Sequence, residues 1–473
     1  MTPCVGAEHS SAPGRVIPSW VIWAQSIFFS ILYAVWGYPN TIFFTDSLII
    51  IGAILSVYSL YLNRYLLKTS WPLPFWFLVA MIMWMIFHLF FLSDNFPRQF
   101  RELESIWKRV IIVMIYGLGF GLGISRFKSV SKCIILIYFG MIGPGLIYIF
   151  KYILGLYATQ HNLVLPDYLI LYDRPTSAYW IYKTAYTVAL MPTFAVGIGI
   201  LQFCALRKMN YFFSAVAIFG MLISVLVFNL VNIKNAVIYT SVLTIIFLIS
   251  LVLNSWRKLL NNSKFLKRAF LVAVIICVPI LFSIDQSFEK NSAWKSFFQD
   301  VKVGQQVDLY EKWKEFGGNG FPVNENGEVV SVTVYYRTAW AIVGSRMLIE
   351  NPLGYGLVYR SFANLGLKKW PNSSLDQVHS GWLDLALGIG VPGIILIFTA
   401  FLLVLYRLHT ISKSSNIADD QALLACVLSW GLFAIFLTWT TSEISQGINL
   451  VQLIFWICFG VGSTMTKKYL CYR

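Results

Sequence analysis

Residues 377–393 read "QVHSGWLDLALGIGVPG". A histidine stands directly before a long apolar run, and that run breaks at a Gly-Val-Pro-Gly turn signal before continuing to about residue 406. A run of this length, with one carboxylate near its start, has the dimensions of a helix crossing a bilayer, which takes about 20 apolar residues. The rest of the chain repeats the pattern. Of its 473 residues, 58% are hydrophobic and only 12% are charged, against about 25% charged in soluble domains. Further runs lie near 16–36, 46–63, 73–93, 109–125, 133–153, 186–206, 211–231, 236–253, 269–285, 421–440 and 446–465. The expected fold is therefore all-α, a polytopic membrane protein of about twelve transmembrane helices in a single integral membrane domain over 1–473. A large, partly helical loop at 286–379 separates the ninth span from the tenth.

The net charge of +15 does not point to nucleic acid, because the basic residues form no patch interleaved with exposed aromatics. They sit in short clusters between apolar runs. With the N-terminus inside, the inside segments hold Arg15; Arg64 and Lys68; Arg126, Lys128 and Lys132; Arg207 and Lys208; Arg257 to Arg268; Arg407 and Lys413; and Lys467, Lys468 and Arg473. This is the positive-inside pattern, with both termini cytoplasmic and the large loop outside. The loop itself is balanced, with ten basic and ten acidic side chains over 285–378. One outside segment, "SDNFPRQFRELESIWKR" (93–109), dissents with four basic residues. The polar start "MTPCVGAEHSSAPGR" precedes a full-length apolar run and reads as an uncleaved first span, not a signal peptide. Seven cysteines, none in the large loop and none in a CxxC pair, argue against disulfides and structural zinc.

Within the large loop, "SAWKSFFQDV", "LYEKWKEFG" and "VYYRTAWAIVGSRMLIENP" predict two or three short helices against the outer surface, separated by turns in "GGNGFPVNENGE". "NPLGYG" (351–356) reads as a turn after a helix. "YGLGFGLGIS" (116–125) lacks the Lys-Ser/Thr of a nucleotide loop and reads as small-residue helix packing. His88, inside "MIFHLFF", is expected to hydrogen-bond a neighbouring helix, and Lys151 to snorkel from the outer end of its span.

Basic residues outside go against the orientation rule and so ask for a reason. "LYDRPTSAYWIYKTAY" places Arg174 and Lys183 before the sixth span, and "FNLVNIKNAV" holds Lys234 in a tight turn between the seventh and eighth. Arg337, Arg346 and Arg360 follow in the large loop, and His379 closes it. Each has a plain alternative: Lys234 can meet lipid phosphates, Arg337 and Arg346 can balance acids such as Glu350, and His379 can simply begin a helix. Asp384, one turn into the tenth span, can be solvated or paired. Taken together, cations and a histidine at an outer membrane surface suit a lipid-linked pyrophosphate. Arg and Lys would stabilise its charge as it leaves, and histidine has the pKa to accept a hydroxyl proton near neutral pH. Glycosyl transfer from a polyprenyl-pyrophosphate donor follows as the sharpest hypothesis.

The segment "YYRTAWAIVGSRMLIENPLGYG", followed by "HSGWLDLALGIGVPG", resembles the signature of the O-antigen ligase and polymerase superfamily of membrane glycosyltransferases. That signature is an arginine on a helix, Asn-Pro-Leu-Gly-x-Gly, and then a histidine opening a helix that ends in Gly-x-x-Gly. The motifs cover about 60 residues, and the layout of spans with a late outer loop matches over the whole chain. The resemblance implies an all-helical fold and transfer without a metal ion or other cofactor. It implies His379 as the base that deprotonates an acceptor hydroxyl, with Arg174 and Arg337 matching the arginines that bind the donor pyrophosphate. Where the family often has Ser-Arg before the eighth span, this chain has Ile233-Lys234. Lysine keeps the charge and loses the bidentate fork. Arg346, Arg360 and Asp384 are supporting candidates.

The wording "HSGWLD" favours a ligase, which moves a glycan from undecaprenyl pyrophosphate to a lipid A core sugar at the periplasmic face of a bacterial inner membrane. The alternatives are a polysaccharide polymerase of the same superfamily and a twelve-span transporter. The near absence of mid-span ionisable residues counts against the transporter.

Overall fold

The computed structural model describes residues 17–35, 41–64, 73–171, 177–207, 211–261, 263–317, 320–356, 360–442 and 448–465. The regular secondary structure of those residues is helical, and the one β contact among them is an isolated bridge between Val323 and Val329. Helices α1 (Ser19–Val35), α2 (Ile42–Leu62) and α3 (Leu73–Phe87) come first, and α3 runs on as a π-helical turn to Leu92. Next are α4 (Phe96–Glu102), α5 (Lys108–Ile124), α6 (Val130–Gln160), α7 (Ser177–Arg207), α8 (Tyr211–Val231), α9 (Lys234–Asn261) and α10 (Ser263–Lys290). The large loop holds α11 (Phe297–Gln305), α12 (Val332–Glu350) and α13 (Ser361–Lys369). The chain closes with α14 (Gly381–Lys413), α15 (Asp419–Thr438) and α16 (Ile448–Thr464).

Every expected apolar run is a helix. Among the described residues, nine helices are long and apolar enough to cross a membrane, or ten if α4 and α5, bent by 41°, form one broken span. The described parts of two others, Ser19–Val35 and Leu453–Thr464, are shorter. The outward faces are apolar: Phe43, Ile54, Leu253, Phe270 and Leu281 are each more than 60% exposed. Water would not tolerate so continuous an apolar surface. The protein is an all-helical, multi-pass membrane protein.

Helices α7 and α15 form the centre, with 89% and 83% of their apolar windows enclosed by other helices, whereas α10 lies at the edge with 17%. The glycine run of α5 serves close packing: a Cβ at Gly117 would stand 2.5 Å from the Trp456 Cβ, and one at Gly121 2.5 Å from the Ile457 carbonyl. Many polar side chains in this interior are linked by hydrogen bonds between helices, as membrane burial favours. Gln25 donates to Ser56 at 2.7 Å, Ser56 to the Tyr116 carbonyl at 2.8 Å, and Tyr116 back to the Gln25 carbonyl at 2.8 Å.

Polar contacts sort the two ends of the bundle. Arg126 donates to Asn63, Ser131 to Asp420 and Arg207 to Asp419, so segments expected inside meet one another. Asn291 meets Asn232, and His88 meets Gly354, so segments expected outside also meet. The large loop builds a core of its own from Val303, Trp313, Tyr335, Trp340, Phe362 and their neighbours, and joins the bundle through Leu387 of α14. One detail differs from expectation. Lys151 is only 3% exposed, because α6 continues for nine further residues and places it well before the helix end.

Candidate functional site

The site is built around a break in α14. Pro392 has no N–H and its ring crowds the carbonyl four residues back, which is that of Gly388. The helix opens there, and Gly390 takes φ 70° and ψ 179°. The freed backbone groups are claimed by the "NPLGYG" turn. Tyr355 N–H donates to the Leu387 carbonyl at 2.8 Å, Gly356 N–H to that of Gly388 at 2.7 Å, and Val391 N–H to that of Pro352 at 2.8 Å. The Trp84 indole N–H takes the Ile389 carbonyl at 2.6 Å. Two glycines permit the approach: a Cβ on Gly354 would lie 2.4 Å from the Gly390 nitrogen, and one on Gly390 would lie 2.3 Å from the Leu353 carbonyl carbon. The two glycine-rich motifs are therefore one structural unit.

That unit is held from below. His88 Nε2 donates to the Gly354 carbonyl at 3.1 Å, and Gln99 donates to that of Tyr355. The partner of His88 is thus the motif turn, not a neighbouring helix.

His379 stands at the mouth of α14 in the left-handed region, with φ 60°. Histidine is among the side chains enriched there, and the residues on either side hold it in place. The Asp384 carboxylate accepts from Val378 N–H at 2.9 Å, while Asp384 N–H donates to the Ser380 carbonyl at 2.8 Å. Asp384 is 5% exposed, so it acts here as a clamp on the histidine loop. Two more donors at the helix start go to the turn after α15: Gly381 N–H to Ser442 and Trp382 N–H to Trp439, at 2.8 and 3.3 Å. The His379 ring lies against the Trp340 indole, with centroids 5.4 Å apart.

The candidate cations divide into two groups. Arg337 stands three residues before Trp340 on α12, a spacing that puts both on one helix face. Lys234 opens α9, and its neighbour Asn235 donates to Thr441 at 3.0 Å, in the same turn that receives Gly381. Tyr239, one turn on, also bonds Thr441. Lys234 and His379 are thereby attached to a common turn. Arg360 and Arg346 serve different ends. Arg360 pairs with Asp376 at 3.0 Å, three residues before the histidine, and so braces the loop. Arg346 pairs with Asp308 at 2.8 Å on another part of the large loop, and Glu350 pairs with Lys369. Arg174 lies outside the described residues.

Sequence reasoning missed Trp340, although its place three residues after Arg337 in "YYRTAW" carried the signal. It also missed Glu102 on α4, in the segment that dissents from the charge rule. Burial pushes the Glu102 carboxyl up to about 7, against the pull of Arg98 and Arg360. Among the described residues, no group of three His, Cys, Asp or Glu side chains could hold a metal ion. Compared with known proteins, the sequence matches no family model and no curated relative.

Proposed function

We propose that the protein is an O-antigen-ligase-like glycosyltransferase. It moves a glycan from undecaprenyl pyrophosphate to a sugar of the lipid A core. The chain makes twelve spans with both termini cytoplasmic, and the face carrying the large loop is periplasmic. The observation that carries this reading is the placement of His379 at the open end of a broken membrane helix. Its ring lies on Trp340, Arg337 is one turn away, and the Lys234 turn is tied to the same helix start.

In this mechanism an imidazole nitrogen of His379 takes the acceptor hydroxyl proton as that oxygen attacks the anomeric carbon. The bond from the anomeric carbon to the pyrophosphate oxygen breaks, and the polyprenyl pyrophosphate leaves with the bonding pair. Lys234 and Arg337, with Arg174, stabilise the charge that develops on it. Asp384 and the Arg360–Asp376 pair orient the histidine loop.

The test is the glycolipid profile of a strain lacking the gene. Loss of capped lipopolysaccharide with accumulation of long lipid-linked chains is the expected result. Capping by single repeats would instead identify a polymerase, and an unchanged profile would remove the assignment.

A further inference from the structure

A concave site lies beside Trp313, the residue to which Trp340 is bonded. It is a cavity of about 170 Å³ within the large loop, a size comparable with the roughly 150 Å³ cavity that admits benzene. Its wall is aromatic: Trp313 meets Trp370 edge to face, with ring centroids 4.8 Å apart. Val343 and Met347 of α12 complete an apolar floor.

The rim is charged but balanced. Arg346 holds Asp308 at 2.8 Å, Lys314 holds Glu311 at 2.5 Å, and Lys369 holds Glu350 at 2.7 Å. Arg346 also keeps the Asp308 carboxyl below its ordinary pKa, so the pair stays ionised. With every rim cation matched by a carboxylate, the cavity offers many donors and acceptors and little net field. An anion would have to displace three carboxylates. Lys314 Nζ lies over the Trp313 and Trp370 rings at 5.6 and 5.5 Å, and Lys369 Nζ over Trp370 at 5.4 Å. A neutral polyhydroxylated ring fits better than an anion, because its C–H groups can meet Val343, Met347 and the Trp370 indole while its hydroxyls meet the ammonium and carboxylate groups of the rim.

The cavity is coupled to the transfer centre. Trp340 donates its indole N–H to the Trp313 carbonyl at 2.8 Å, while its ring carries His379. Val343, in the cavity floor, is three residues further along the same helix.

The geometry points to a saccharide subsite in this cavity, which holds a neutral, non-reacting sugar of the transferred or accepting glycan. The assignment takes its ligand class from the glycosyl-transfer reading, and binding energy gained at such a remote sugar can be used at the reacting centre.

The experiment measures saccharide binding, with glycosyl transfer by His379→Gln followed separately. Full-length protein in lipid nanodiscs is titrated, with saturation-transfer NMR as the readout. The probes are neutral tri- and tetrasaccharides of hexoses, deoxyhexoses and N-acetylhexosamines, with inorganic pyrophosphate as the anionic comparison. At least one saccharide should bind. Trp370→Ala, at a half-buried position, should weaken it by about tenfold or more, as loss of an aromatic anchor does. Asp308→Asn, which keeps the side-chain shape, should weaken it less, and His379→Gln should leave it unchanged. Absence of saccharide binding to folded protein would overturn the subsite, as would binding that both cavity variants leave intact. Pyrophosphate binding weakened by Arg346→Ala, without saccharide binding, would make the cavity an anion site. Saccharide binding alongside full transfer by His379→Gln would keep the subsite and remove the histidine mechanism, so the two failures are distinguishable.

Discussion

The imidazole of His379 rests on the indole of Trp340, with ring centroids 5.4 Å apart and planes inclined by 34°. Trp340 is itself fixed, fully enclosed in the core of the large loop and bonded through its N–H to Trp313. The histidine ring is thus in contact with a fixed residue of another helix.

Trp340→Phe should fold, since it keeps an aromatic ring and loses one hydrogen bond worth about 0.5–1.5 kcal/mol. It should lower kcat with little change in donor KM, because the proposed base loses its support. A purely structural role would lower the thermal midpoint and leave kcat of the folded protein unchanged.

Gly390→Ala and Gly354→Ala both place a Cβ against backbone at a positive φ. Each should destabilise the protein by about 2 kcal/mol or more, combining backbone strain with overpacking. Gly155→Ala is the control: it lies in helix α6 with no heavy atom within 4 Å of the added Cβ. It should be neutral or gain up to about 1 kcal/mol. Thermal midpoints in one detergent decide the matter, and equal midpoints for all three would show that the motif contact is loose.

The apolar runs made the helices legible, because hydrocarbon solvation acts on each segment separately. The histidine at the mouth of α14 was legible for the same reason. The docking of "NPLGYG" into the broken helix was not, since it depends on Gly354 and Gly390, 36 residues apart, and on Pro392, which opens the helix just beyond Gly390. The charges were partly legible. The sequence offers Glu350 as an acid that Arg346 could balance, whereas its ion pair is with Asp308, and Glu350 pairs with Lys369. Lys151 read as a snorkelling residue because the true length of α6 was hidden in its polar end, "YATQ".

Glu102 gives a pH signature. Its pKa of about 7 arises first from burial, with Arg98 and Arg360 opposing. A folded carboxyl raised above its unfolded value stabilises fully below that unfolded value, and the contribution is lost as pH rises through about 7. Wild-type protein should therefore lose thermal stability as pH rises from about 4.5 to about 7 and level off above that, and Glu102→Gln should flatten that part of the profile. Parallel profiles for the two proteins would show that Glu102 does not carry the effect.

Replacing Lys234 or Arg337 by Ala should raise the donor concentration needed for half-maximal transfer, since each removes a charge from the proposed pyrophosphate site. Lys234→Arg should retain or increase activity by restoring a bidentate fork. Kinetics at limiting donor check this. Normal donor use by both Ala variants would detach these cations from the donor.

In the proposed mechanism His379 accepts the acceptor proton. The direct measurement is single-turnover glycosyl transfer by purified His379→Gln with donor already bound. Glutamine keeps hydrogen bonding and lacks basicity, and positioned base catalysis contributes about 10²- to 10⁴-fold. A loss of that order is expected across neutral pH, with donor binding and thermal midpoint unchanged. Near-wild-type rates across the same range would contradict it.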